Sequence, residues 1–203
     1  MTEKSVATEF GSVDRAARPE AFVKYLDTVT GLEAAQAYKQ RSYDLLRLKP
    51  GHQVLDVGCG TGDDVRAMAK IVGSSGRAVG IDNSEVMIAE AKKRSLDLAL
   101  PVEFRTATAS DLPFQNGSFD ATRSERLFQH LANPSKALAE MIRVTRPGGR
   151  VGVLDPDWET VVIDALDRRV TRQILSASMD THVKPMGRSA DLLSLSHSRT
   201  SRD

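Results

Sequence analysis

The 203-residue sequence predicts an α/β fold: an open, doubly wound, mainly parallel sheet preceded by a helical segment. Three observations carry that prediction. From Gln53 to Leu154, short apolar segments alternate with helical patterns, as parallel strands joined by right-handed crossovers require. The first of them, Val54-Leu55-Asp56-Val57, runs into a turn where Gly58, Gly60 and Gly62 alternate, and that turn opens a helix. The last crossover ends at Pro147-Gly148-Gly149, before the apolar run Val151-Gly152-Val153-Leu154.

Residues 1–18 read as a polar, mobile lead-in. Two helical patterns follow over 19–49. Phe22, Tyr25, Leu26 and Val29 recur at i, i+3, i+4, i+7 on one face of the first. Ala34, Ala37, Tyr38, Arg41, Leu45 and Leu48 form the stripe of the second, and Lys49-Pro50-Gly51 stops it. A strand is predicted over 53–57. The helix over 62–72 turns Val65, Met68, Ala69 and Val72 inward and ends at Gly73. Ala78-Val79-Gly80-Ile81 is the second strand, ending at Asp82, with Ser84 as N-cap of the next helix. Val102-Glu103-Phe104 is the third strand, and Phe119-Asp120-Ala121-Thr122 begins the fourth. Asn133-Pro134 supplies an N-cap and a proline at N1, and Ala137, Leu138, Met141 and Ile142 are the buried stripe of that helix. Beyond Leu154 the alternation falters. Residues 167–179 read as a helix, Leu193–Ser196 as a brief strand-like run, and 187–203 as a disordered tail. The expected organisation is thus a lead-in (1–18), helices on the lid or substrate side (19–49), one α/β domain (50–186) and a tail.

The net charge is +1 with no basic block, so composition gives no footprint for nucleic acid or an anionic membrane. Cys59 is the only cysteine, which excludes an intrachain disulfide and fits a reducing cytoplasm. No secretory apolar region opens the chain, and no apolar run reaches the length of a membrane span. The expectation is a soluble cytoplasmic protein. Oligomeric state is not encoded legibly.

Glycine spacing separates two chemistries. The dinucleotide fingerprint G-x-G-x-x-G needs glycine at position 63, which is Asp63 here, and this argues against a nicotinamide-dependent oxidoreductase. The pattern D-x-G-x-G-x-G over Asp56–Gly62 resembles motif I of the class I S-adenosylmethionine-dependent methyltransferases. Gly80-Ile81-Asp82-Asn83-Ser84, Asp111-Leu112-Pro113-Phe114, Gly117-Ser118-Phe119-Asp120 and Arg143–Arg150 extend the likeness. Together they resemble the Rossmann-like ubiquinone/menaquinone-biosynthesis type of small-molecule methyltransferase over roughly residues 50–155.

That resemblance implies S-adenosylmethionine as cofactor and a small-molecule methyl acceptor as partner. Asp56 and the loop Gly58, Cys59, Gly60, Thr61 and Gly62 would face the methionine end of the cofactor. Asp82 would accept hydrogen bonds from both ribose hydroxyls, with Asn83 and Met87 bordering ribose and adenine. The family places an acid or amide against the adenine amino group where this chain has Thr108, followed by Ala109 and Ser110; Asp111 would either substitute for it or, as more often in the family, hold the loop in place. Family members continue past the fifth strand with a strand pair that completes the sheet, and no such pattern is legible here. A truncated or inactive domain with a binding role is therefore an alternative to an active enzyme.

S-adenosylmethionine carries its own activated methyl group, so the protein need supply neither nucleophile nor metal; no metal ligand set is expected. An oxygen acceptor would benefit from a general base. Candidates lie where the fourth and fifth strands end. His130 is a base or a structural histidine; Glu125 meets a ligand or is a paired carboxylate. Asp155, Asp157, Glu159 and Trp158 follow the fifth strand, on the side where ligands bind. Tyr25 and Tyr38 either line a lid over the acceptor or serve helix packing.

Overall fold

Local signals place most elements where expected. The computed structural model describes residues 10–156. Helices α1 (Pro19–Thr30) and α2 (Glu33–Leu46) precede β1 (Gln53–Val57), α3 (Asp63–Val72), β2 (Arg77–Asp82), α4 (Glu85–Lys93), β3 (Val102–Thr106), β4 (Phe119–Glu125), α5 (Pro134–Val144) and β5 (Thr145–Leu154). The five strands form one parallel sheet in the order β3-β2-β1-β4-β5. The order reverses at β1, so β1 and β4 flank the switch point where ligands bind. These elements belong to one unit ending at Asp155. None of the described helices is long and apolar enough to cross a membrane.

Each sheet face buries its own core. Val54 and Ala121 share one with Val65, Met68, Ala69 and Val72 of α3 and with Tyr43 and Leu46 of α2. Leu55, Val57, Val79 and Ile81 share the other with Met141 and Val144 of α5. The strand period of two explains the split along β1. Both predicted caps form: Ser84 Oγ accepts from Met87 N at 3.2 Å, and Asn133 Oδ1 from Lys136 N at 3.0 Å.

Several expectations need correction. The buried face of α2 is not the predicted stripe: Leu45 and Tyr38 are exposed, whereas Ala35, Lys39, Ser42, Tyr43 and Leu46 are buried. An apolar-period scan passes over Lys39 and Ser42, which are buried only because distant partners neutralise them. In α5, Ile142 is exposed and Val144 takes its place inside. Pro147-Gly148-Gly149 does not close that helix. The helix ends at Val144, and the register of β5 shifts between the pairs Phe119↔Thr145 and Ala121↔Arg150, so these residues form a bulge within the strand. The lead-in also contributes structure. Phe10–Arg15 is a 3-10 segment with Val13 buried against Phe22 and Met87. Residues 1–9, the helix expected over 167–179, the Leu193–Ser196 run and the tail lie outside the described residues.

Arg143 clamps the loop between β3 and β4. Its guanidinium donates to Phe114 O at 2.8 Å, to Leu112 O at 2.9 Å and to Glu140, which in turn accepts from Leu112 N at 2.8 Å. Hydrogen bonds from Arg143 pull the Glu140 carboxyl down from 4.5 to about 2. A depressed carboxylate stabilises above its unfolded pKa and loses that contribution as pH falls through the folded one. Glu140→Gln should therefore be less stable than wild type at neutral pH. The gap in urea midpoint should close as pH drops from about 4.5 to about 2; a gap independent of pH would refute the clamp.

Candidate functional site

The turn after β1 is held by the end of β2 and by its own backbone. Gly58 N and Cys59 N both donate to Ile81 O at 2.8 Å, Gly62 N donates to Cys59 O at 2.9 Å, and Gly60 N reaches Asp82 Oδ2 at 2.9 Å. Gly60 (φ 51°) and Gly62 (φ 80°) lie in the left-handed region. A Cβ on Gly62 would sit 2.6 Å from Phe104 Cε1, and one on Gly60 would meet Leu26 Cδ1 of α1 at 3.0 Å. The turn is thus packed from below by β3 and from above by an N-terminal helix. Gly62→Ala should lower stability by at least about 1–2 kcal/mol from its backbone conformation alone, a loss that a urea melt would read. Unchanged stability would mean the turn relaxes without strain.

Asp82 ends β2 beside this turn. Its Oδ1 accepts from Ser84 N at 3.0 Å while Oδ2 holds Gly60 N. Burial pushes its carboxyl above the ordinary range, and the N–H donors of Ser84 and Gly60 oppose that shift. Asn83 is exposed next to it, and Met87 is buried on the first turn of α4. Asp14 also reaches this corner, accepting from Ser84 Oγ, from Glu85 N at 2.8 Å and from Val86 N at 3.3 Å. Across the turn after β3, Thr108 Oγ1 and Ser110 Oγ lie 3.1 Å apart, and Ala109 between them is buried. Asp111 N donates to Thr108 O at 3.2 Å and closes that turn.

Beneath the glycine turn lies a cluster of charges, most of which sequence reasoning missed. Arg123 of β4 is fully buried, opposite Asp56 in the β1–β4 register. Its Nη1 lies 3.2 Å from Asp56 Oδ1, its Nη2 3.3 Å from Asp64 Oδ1 and 2.7 Å from Glu125 Oε2, and its Nε donates to Ser42 Oγ at 3.1 Å. Lys39 of α2 pairs with Asp64 Oδ2 at 2.5 Å and with Glu125. Tyr43 donates to Asp64 and Tyr38 to Glu125. The signal available in the sequence was the string Arg123-Ser124-Glu125, which places charges two apart on one face of a buried strand. Buried parallel strands are otherwise apolar, so such charges need partners. Burial raises Asp56, with Arg123 opposing. At Glu125 burial is outweighed by Lys39 and Arg123, and the carboxyl is held below the ordinary range.

These contacts sort the sequence candidates. The Asp56 carboxylate is buried against Arg123. Glu125 is a paired carboxylate: Lys39 and Arg123 take Oε2, while Tyr38 and Arg126 take Oε1. His130 lies on a 3-10 turn (Phe128–His130) with its ring 5.6 Å from that of Phe10, which also contacts Phe22 and Tyr25. Asp155 anchors that turn, accepting from Gln129 N at 3.2 Å and Phe128 N at 3.3 Å; burial pushes its carboxyl up to about 6. Asp157, Trp158 and Glu159 lie outside the described residues.

Residues 48–188 match the family described as "Methyltransferase domain". The chain is 42% identical over 168 residues to an uncharacterised 37.1 kDa protein in transposon TN4556 of Streptomyces fradiae, covering 83% of this chain and 48% of that protein. A demethylmenaquinone methyltransferase of Bacillus cereus is 33% identical over 138 residues, covering 68% of this chain and 58% of the relative. The chain therefore spans about half the length of these curated relatives. Among solved structures, a SAM-dependent methyltransferase from Aquifex aeolicus superposes with a TM-score of 0.57 at 26% identity, covering 70% of this chain and 77% of the other. The parallel sheet, the alternating glycines after β1 and the family match over more than half its length agree, and this chain belongs to the class I S-adenosylmethionine-dependent methyltransferases.

Proposed function

We propose that this protein transfers the methyl group of S-adenosylmethionine to a small-molecule acceptor by in-line displacement. The observation that carries this reading is the Asp82 carboxylate at the end of β2, 2.9 Å from the amide of Gly60 in a turn whose three glycines all take positive φ. A cofactor with a ribose and a zwitterionic amino-acid end fits such a donor set: a carboxylate for the hydroxyls and backbone groups for the charged end. When bound, S-adenosylmethionine supplies a sulfonium-activated methyl group, and its sulfur leaves as a neutral thioether.

The residues divide the remaining work. Asp82 accepts from the ribose hydroxyls, and Gly58, Cys59, Gly60, Thr61 and Gly62 present their backbone to the methionine end. Asn83 and Met87 border the adenine side, with Thr108, Ala109 and Ser110 at its edge. The acceptor is held in line by the elements around the end of β4, and placement of this kind accounts for roughly 7–11 kcal/mol of a barrier. Glu125 has both oxygens engaged and a lowered pKa, so it serves the charge cluster. His130 is the remaining candidate to take a proton from an oxygen acceptor. Asp56 acts through the turn above it.

The test is ligand-dependent melting. S-adenosylhomocysteine at about 100 times its Kd should stabilise the protein by roughly 2.7 kcal/mol, while NAD should leave the melting temperature unchanged. Stabilisation by NAD alone overturns the reading. Demethylmenaquinone, the acceptor in the relative's name, is the first compound to assay for turnover.

A further inference from the structure

The two stems of the glycine turn end on the same cation. Asp56, in β1, precedes the turn, and Asp64, in the first turn of α3, follows it. Asp56 Oδ1 meets Arg123 Nη1 at 3.2 Å and Asp64 Oδ1 meets Nη2 at 3.3 Å, so different nitrogens of one planar group hold the two ends. The guanidinium is itself fixed on its other edges by Ser42 Oγ on Nε and Glu125 Oε2 on Nη2, and its Cζ lies 5.4 Å from the centre of the Tyr43 ring. From these contacts we infer that Arg123 is a positioning residue for the cofactor turn: it sets the separation of the two stems and with it the course of the turn's backbone. The inference rests on the cofactor reading of that turn. Lys39 and Tyr43 bind Asp64 from α2, so the same cluster ties an N-terminal helix to the turn.

Charge compensation alone and stem positioning make different demands. Compensation needs a cation, which lysine supplies. Positioning needs a rigid fork that reaches two carboxylates at once, which a single ammonium does not reproduce. The decisive variant is therefore Arg123→Lys, which keeps the buried charge.

Two measurements on the full chain are made side by side. Hydrogen exchange of the ligand-free protein reads the amides of residues 58–62, with those of β2 and β3 as internal control. Calorimetry reads the Kd for S-adenosylhomocysteine. Arg123→Lys should retain control protection while the amides of 58–62 exchange about ten times faster or more, and the ligand should bind about ten- to a hundredfold more weakly, as expected when a remote change misplaces a binding group. Wild-type exchange at 58–62 in this variant overturns the positioning role, whatever the binding result. So does wild-type affinity. If global protection collapses, Asp64→Ala gives the second reading: it keeps Arg123 and Asp56 paired, removes the acceptor on the other stem, and should loosen 58–62 while sparing the controls. Failure of wild type to bind S-adenosylhomocysteine counts against the cofactor reading, and the exchange data then decide the role of Arg123 alone.

Discussion

Arg123→Met should destabilise the fold by about 3–5 kcal/mol, the range for breaking a buried ion pair by removing one partner. The volume is roughly kept, so the loss is electrostatic rather than a cavity. Without the guanidinium, the buried carboxylates of Asp56, Asp64 and Glu125 keep Lys39 as their buried cation, and Lys39 pairs with Asp64 and Glu125 but not with Asp56. The pH dependence gives a second check. Asp56 already has a raised folded pKa, so its contribution favours the fold below its unfolded value and is lost as pH rises through the folded one. Removing Arg123 enlarges that shift. Glu125 has the opposite sign: its lowered pKa stabilises wild type above the unfolded value and is lost as pH falls through the folded one. Both changes make the variant's deficit larger at pH 8 than at pH 4. Urea melts at the two pH values test this, and an equal deficit at both would mean that Arg123 contributes packing and not charge.

Asp82→Ala should weaken S-adenosylhomocysteine binding by roughly 1.5–3 kcal/mol, about ten- to a hundredfold in Kd. A hydrogen bond to a charged acceptor is lost, and two amides, Gly60 N and Ser84 N, lose their partner in the same step. Asp82→Asn separates these effects. It keeps one acceptor oxygen for the backbone but removes the charge, so its loss should be intermediate. Calorimetry on both variants measures the difference. If Asp82→Ala binds as tightly as wild type, the ribose does not sit on this carboxylate.

What the sequence determined by itself was the local architecture. Val65, Met68, Ala69 and Val72 of α3 are all buried as their spacing requires, because a helical face is set by a 3.6-residue period within one segment. Ser84 and Asn133 cap their helices because each accepts from an amide three residues away. The glycine turn and Asp82 were legible for the same reason: the strand, the turn and the acid are short stretches with a strict spacing. The tertiary structure decided which face of α2 turns inward and what Glu125 does. Lys39, Ser42 and Tyr43 have no apolar period to announce them. Their burial depends on Asp64, Arg123 and Glu125, between 21 and 86 residues away in sequence. It likewise placed Asp14 on the start of α4, 71 residues from Glu85. Hydrophobic period and capping are short-range and can be read along the chain. A buried charge becomes favourable only when its counter-charge arrives through the fold, and that pairing is absent from any local stretch of sequence.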